Sequence, residues 1–270
     1  MRQGSARADR SWGKAWQTAA IILIIFGATD WLRSEDKKPG DAVRIIAVAP
    51  LEIVVGAKTT LRLRGLKLDG STAVKVLPPA AELTAVVGEK KKVTVPNGAE
   101  ANKVGDTEVA VELLAPATLP RTPLKLVVET PDGSTAPAEV QVIKGDEFAD
   151  EKEPNGSFRE AQLLTPGKGM RGCIKEDKDV DVYRFEAHLG ARIAIEVRAA
   201  RLGSLLDSVL TLYGEKGNQL AINDDAIGLG RDSRIEMIVP ADGSYLVSIT
   251  DAQDSGSAFH NYELQMKETP

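Results

Sequence analysis

From Val43 onward the chain alternates apolar and polar residues with a period of two, and that pattern limits it to strands with one dry and one wet face. Leu61 and Leu63 alternate with Arg62 and Arg64; Val109, Val111 and Leu113 alternate with Glu108, Ala110 and Glu112; Val140 and Val142 alternate with Glu139 and Gln141. Asp69-Gly70-Ser71 and Pro131-Asp132-Gly133-Ser134 supply turn chemistry between them. No stretch of 43–143 keeps a helical period with caps. A second series follows the first. Ile193, Ile195 and Val197 make one face; Leu210 and Leu212 flank Thr211; Ile235, Met237 and Val239 make another face. Tyr245, Val247 and Ile249, then Tyr262, Leu264 and Met266, complete it, with tight turns at Glu215-Lys216-Gly217-Asn218 and Ala241-Asp242-Gly243-Ser244. The expected fold class is all-β, with two β-sandwich domains, one over 42–143 and a jelly-roll-like one over 151–270. The acid-rich stretch 144–150, with Asp146, Glu147 and Asp150, reads as the linker between them.

The N-terminus reads as an address. Arg2, Arg7, Arg10 and Lys14 precede the apolar run Ala19-Ala20-Ile21-Ile22-Leu23-Ile24-Ile25-Phe26, and Gly27-Ala28 lead into polar Thr29-Asp30. A basic segment before a short apolar one is the layout of a secretory signal. The run is shorter than the ~20 apolar residues of a membrane-crossing helix. Residues 1–30 are therefore expected to be a signal peptide or a signal anchor helix, and 31–41 a polar spacer. If the helix is retained, membrane contact is made through residues 19–28, with residues 1–17 cytoplasmic and the rest outside. The expected location is periplasmic or extracellular, free or anchored to the membrane.

The net charge of -5 disfavours phosphate backbones, so no nucleic acid is expected as a partner. The run Lys90-Lys91-Lys92 has no aromatic neighbours and reads as a solvated strand or turn. A single cysteine, Cys173, closes no intrachain disulfide and builds no cysteine zinc site. The two histidines, His188 and His260, lie in no motif with it. Gly243-Ser244 sits in a hairpin turn, not between strand and helix, and there is no His-Glu-x-x-His or phosphate loop. No catalytic residue is expected, and the chain reads as a non-enzyme.

Two resemblances add to this. Ile45-Ile46-Ala47-Val48-Ala49-Pro50, then Val55-Gly56, then Thr60-Leu61-Arg62-Leu63-Arg64-Gly65 resemble the opening of immunoglobulin-like domains of the IPT/TIG type. The second half is similar to the bacterial pre-peptidase C-terminal domain. The matching pieces occur in order: Glu151-Lys152-Glu153-Pro154-Asn155-Gly156, Gly172-Cys173-Ile174, Asp179-Val180-Asp181-Val182-Tyr183-Arg184-Phe185, Leu206-Asp207-Ser208, Asn223-Asp224-Asp225, Pro240-Ala241-Asp242-Gly243-Ser244-Tyr245 and Asn261-Tyr262-Glu263-Leu264. That resemblance implies a β-sandwich appended to secreted proteins, often proteases, with no catalytic activity of its own.

Carboxylates are the one chemically suggestive group. Glu151, Glu153 and Asn155 are spaced by two, as are Asp177, Asp179 and Asp181. On extended backbone alternate residues share a face, so each trio is expected to aim its oxygens one way. Calcium takes oxygen ligands of this kind. The resemblance implies the same, because in collagen-binding relatives of the fold the matching segments hold calcium. The chain departs from them at Gly156, where an acid is common, and in its Asp177–Asp181 spacing. The expected metal ligands are Glu151, Glu153, Asn155, Asp179 and Asp181, against a plain reading as a solvated acidic edge. The expected function is an exported binding, adhesion or accessory module whose partner is an extracellular polysaccharide or an envelope or matrix protein. The alternatives are a membrane-anchored structural protein of the envelope and an accessory subunit of a secreted hydrolase.

Overall fold

The computed structural model describes residues 42–96 and 98–269. The expected signal or anchor helix (1–30), with its membrane-contacting run 19–28, and the spacer (31–41) lie outside them. Among the described residues no helix is long and apolar enough to cross a membrane.

Nine strands form the first half: β1 (Arg44–Ala49), β2 (Glu52–Val54), β3 (Lys58–Leu66), β4 (Ala73–Leu77), β5 (Thr84–Lys92), β6 (Thr107–Leu114), β7 (Leu124–Thr130), β8 (Gly133–Ser134) and β9 (Ala138–Ile143). One four-residue helix, Ala101–Val104, interrupts them. The strands make two sheets, β1-β3-β6-β5 and β2-β9-β7-β4, with β8 paired to β7. Alternation carries through as the sequence implies: Leu61, Leu63, Val109, Val111, Leu126 and Val128 are fully buried in one shared core. Lys90, Lys91 and Lys92 end the exposed edge strand β5.

Ten strands form the second half: β10 (Phe148–Asp150), β11 (Gln162–Leu163), β12 (Gly169–Cys173), β13 (Asp181–Ala187), β14 (Arg192–Arg198), β15 (Ser208–Tyr213), β16 (Gln219–Asn223), β17 (Arg234–Ile238), β18 (Gly243–Asp251) and β19 (Asn261–Thr269). Their sheets run β10-β12-β19-β14-β17 and β11-β13-β18-β15-β16. A core of Tyr183, Phe185, Ile193, Ile195, Leu210, Leu212, Val247, Ile249, Tyr262 and Leu264 lies between them. Phe185 and Tyr245 stack within it, ring centroids 5.7 Å apart.

The stretch 144–150 does not stay irregular throughout. Its last three residues are β10, which pairs in parallel with β12 in the register Phe148↔Gly169, Ala149↔Met170, Asp150↔Arg171. The physical reason is packing: Ala149 rests on the second core, and the Phe148 ring lies over Gly169, where any Cβ would meet it at 2.5 Å. The two sandwiches touch along a small seam. Ala47 and Ala49 of β1 bury against Phe259, the Val48 N–H donates to the Gly203 carbonyl at 3.1 Å, and the guanidinium groups of Arg62 and Arg64 lie 5.3 and 5.8 Å from the Phe259 ring centre.

Candidate functional site

β10 and β12 deliver the acidic segment to one place. Past β10 the pairing continues for one residue, with the Glu151 N–H donating to the Arg171 carbonyl at 2.8 Å. The chain then leaves the sheet edge and returns at Asn155, whose carbonyl accepts from Val182 N–H at 2.9 Å. Asp181, the first residue of β13, is thereby next to the segment it was expected to join. One carboxylate oxygen each from Glu151, Glu153 and Asp181 lie within 4.8 Å of one another.

The reason for this convergence differs from the expected one. Residues 151–155 and 177–180 form no strand, and Lys178 has a left-handed φ of 67°. Shared faces of extended backbone therefore do not align either trio. Asp179 instead closes the loop before β13, its Oδ2 accepting from the Lys175 N–H at 2.8 Å and its Oδ1 from the Val180 N–H at 2.9 Å. Asp177 likewise accepts from the Gly256 N–H at 3.1 Å. The acids that meet are Glu151, Glu153 and Asp181, and Asn155 is the buried amide beside them.

Burial makes the cluster unusual. Asp181 and Asn155 have no solvent exposure. The Tyr262 hydroxyl donates to Asp181 Oδ2 at 2.6 Å, and the Tyr183 hydroxyl meets the Tyr262 hydroxyl at 2.6 Å inside the core. Asp181 Oδ1 and both polar atoms of the Asn155 side chain have no protein partner. Burying such atoms unpaired costs about 1–3 kcal/mol each. Burial first, and then the charge of Glu151, holds the Asp181 carboxyl well above the usual carboxylate range. Gly172 makes room for the arrangement. It pairs with Tyr262 across β12 and β19, and a Cβ there would meet the Tyr262 hydroxyl at 2.2 Å and Glu151 Oε2 at 2.5 Å.

Lys175 is the cation present. Its Nζ donates to Glu151 Oε1 at 2.8 Å and to Glu153 Oε1 at 3.0 Å. Desolvation works against its charge, but the bonds to both glutamates outweigh that and hold it above the ordinary lysine range. The cluster opens on a cleft of about 380 Å³ at the seam, lined by Leu51 and Glu52 of the first sandwich and by Arg171, Cys173, Lys175 and Tyr262 of the second. Glu52 is buried there; burial, and next the charge of Glu263, raises it from 4.5 to about 7.

Nucleophile chemistry finds little support at the described residues. Cys173 ends β12, donates through Sγ to the Ser257 carbonyl at 3.3 Å, and is pushed up to about 12 by burial and by Glu151. A thiol held there is protonated at neutral pH and is a poor nucleophile. The fold does bring together a Ser257 Oγ–His260 Nδ1 pair at 2.8 Å, which sequence reasoning did not single out. It is a turn contact, since the same hydroxyl accepts from the Phe259 N–H, and burial holds His260 below its ordinary value. Asp251, the nearby acid, spends its oxygens on the N–H groups of Asp207, Gln253 and Ser255. His188 is exposed and pairs with Asp242 at 3.2 Å.

Sequence reasoning missed Lys175, Tyr262 and Glu52 as site residues. Tyr183 was visible as part of the motif at 179–185, and Tyr262 as part of the motif at 261–264 and of an apolar face, but neither pattern says where a ring's hydroxyl ends. Lys175 carried a faint signal, as the cation two residues beyond β12.

No protein-family model matches the chain. A probable subtilase-type serine protease of Deinococcus radiodurans is 32% identical over 154 residues, which is 50% of this chain and 21% of that relative. The chain thus spans about a fifth of that protein's length. Among solved structures, the pre-peptidase C-terminal domain of a Bacillus anthracis collagenase is 19% identical, covers 43% of this chain and 100% of its own, with a TM-score of 0.34. The periplasmic inhibitor of g-type lysozyme from Aeromonas hydrophila is 14% identical, covers 46% of this chain and 100% of its own, with a TM-score of 0.31. The ordered motifs from Glu151 to Leu264 are what resemble the pre-peptidase C-terminal domain.

Proposed function

We propose that the chain is an exported, non-catalytic binding or accessory module whose C-terminal sandwich is stabilised by calcium. The observation that carries this is the meeting of Glu151, Glu153 and Asp181 beside atoms of Asp181 and Asn155 that have no protein partner. Oxygens bound to one calcium ion at about 2.3–2.6 Å lie at most about 5 Å from each other, which the 4.8 Å cluster satisfies. The donor set is all oxygen, as that ion requires. Glu151, Glu153, Asn155 and Asp181 are the ligands in this reading, and Asp179 supports the loop from behind. Calcium would supply the positive charge that lets three crowded carboxylates ionise together. The partner in this reading is an extracellular polysaccharide or an envelope or matrix protein, met outside the cytoplasm as the N-terminal sequence suggests.

The sheet orders support an immunoglobulin-like reading of the first sandwich. β1-β3-β6-β5 and β4-β7-β9 follow the strand succession of that fold's two sheets, with β2 alongside β9 in parallel. The IPT/TIG resemblance rests on the sequence motifs of β1 to β3.

The test is a melting and titration series on the full-length chain. Calcium should raise the melting temperature, with a stabilisation of about 2.7 kcal/mol at a hundredfold excess over Kd, and magnesium should do less. Glu153→Ala combined with Asp181→Ala should abolish the response. A melting curve indifferent to calcium and to chelator would overturn the calcium reading and leave the cluster as a buried acidic group paired with Lys175. A pull-down of extracellular polysaccharides and envelope proteins, with and without calcium, then asks for the partner.

A further inference from the structure

Lys175 makes the cluster different from a bare set of acids. Its Nζ spans Glu151 and Glu153 at 2.8 and 3.0 Å, so an ammonium already occupies the side of the cluster that those two acids face. It does not complete the site. The bonds to Lys175 leave Asp181 Oδ1 and the Asn155 amide without partners. One positive charge thus serves two acids, where a divalent ion would serve three. The lysine side chain is also about half exposed (48%), while Glu151 is 8% exposed. A side chain that is half in water can swing into solvent on its four-carbon stem, but leaving the largely buried Glu151 has a cost that the incoming ion must offset. Its backbone stays where it is, since the Lys175 N–H is bonded to Asp179 Oδ2.

We infer that Lys175 is an internal competitor for the cation: its ammonium holds Glu151 and Glu153 together in the metal-free chain and swings out when calcium binds. This rests on the calcium reading above and adds a consequence to it. Removing calcium does not leave the acids unbalanced, because the lysine keeps the 151–155 segment docked on β12 and β13. It also lowers the affinity for the ion, because binding must first break two ion pairs. The lysine thereby tunes the site toward surroundings rich in calcium.

The experiment compares the full-length wild-type chain with Lys175→Met and Lys175→Gln, using calcium alone as the probe. Titration calorimetry should show both variants binding calcium roughly three- to thirtyfold more tightly than wild type, as expected for the loss of two partly exposed ion pairs. In chelator both variants should melt below wild type, and in saturating calcium the gap should close or reverse. On the wild-type chain, the NMR resonance of the Lys175 ammonium should move toward that of a free lysine as calcium is added. That measurement stands even where a variant folds poorly. Equal affinity in all three chains, with a stationary Lys175 resonance, overturns the inference and leaves the calcium reading intact. Absence of calcium binding from all three overturns both.

Discussion

The two sandwiches differ in the acids they bury. In the first, buried hydroxyls staple turns. Ser71 Oγ donates to the Leu68 carbonyl, Thr107 Oγ donates to the Gly65 carbonyl while accepting from the Leu68 N–H, and Thr135 Oγ accepts from the Val128 N–H. The buried acids there are Glu52, which lines the cleft at the seam, and Glu108 of β6, which pairs with Lys91 at 3.3 Å. The second sandwich also buries hydroxyls, Ser204 and Ser208 among them, but it adds four acids: Asp181, Asp232, Asp251 and Glu263. Asp232 accepts from the N–H groups of Ala199 and Ala200; its Oδ2 and Glu263 Oε2 make no hydrogen bond but face Arg201 at 3.3 Å and Arg198 at 2.9 Å, whereas Asp181 Oδ1 has neither a hydrogen bond nor an ion pair. A stapled hydroxyl is a finished structural element. A buried acid with an unpaired oxygen is costly, and that is why the calcium site is proposed in the second half.

Breaking a core tests whether the halves are independent, and it should have the largest effect. Leu63 is fully buried in the first core. Leu63→Ala should cost about 2–5 kcal/mol, read by denaturant unfolding, through lost burial and the cavity left behind. The calcium response of the second sandwich should survive it. Loss of that response would show that the seam at Ala47, Ala49 and Phe259 couples the halves more strongly than its small size suggests.

Proton linkage at the seam comes next. The Glu52 carboxyl is raised from 4.5 to about 7, so its neutral form is the one the fold favours. Stability from this group is full below its unfolded value and is lost as pH rises through about 7. In chelator the chain should be less stable at pH 8 than at pH 5. The share due to Glu52 is on the order of 2–3 kcal/mol at most. Glu52→Gln should shrink the difference, as measured by urea unfolding at the two pH values. A pH dependence the variant leaves unchanged would assign the effect to the acids of the second sandwich alone.

The smallest expected effect is also the most local. Tyr262→Phe removes the hydroxyl between Tyr183 and Asp181. It should destabilise the metal-free chain by about 1–3 kcal/mol, because the buried Asp181 Oδ2 then loses the hydroxyl that donates to it. Calcium should restore most of that loss. A variant as stable as wild type in chelator would mean that water replaces the hydroxyl at no cost.

Much of the architecture was legible in the residues. Leu61, Leu63, Val109, Val111, Ile193, Ile195, Leu210, Leu212, Val247 and Ile249 were placed inward by alternation alone, and all are buried. That works because side-chain direction in a strand is a local property of the backbone, set by its pleat. The acids were legible as a group near the right segments, but their arrangement was not. Glu151, Glu153 and Asp181 converge because β10 pairs in parallel with β12 and the Asn155 carbonyl bonds to β13, contacts between residues far apart in sequence. Asp179 shares the spacing and the charge, yet two backbone N–H groups claim its oxygens. Alternation determined which residues are inside. Only the tertiary structure decided which acids face one another, that Lys175 stands between two of them, and that a tyrosine pair from opposite sheets holds the third, because side-chain reach and partner choice depend on strand pairing that no local pattern encodes.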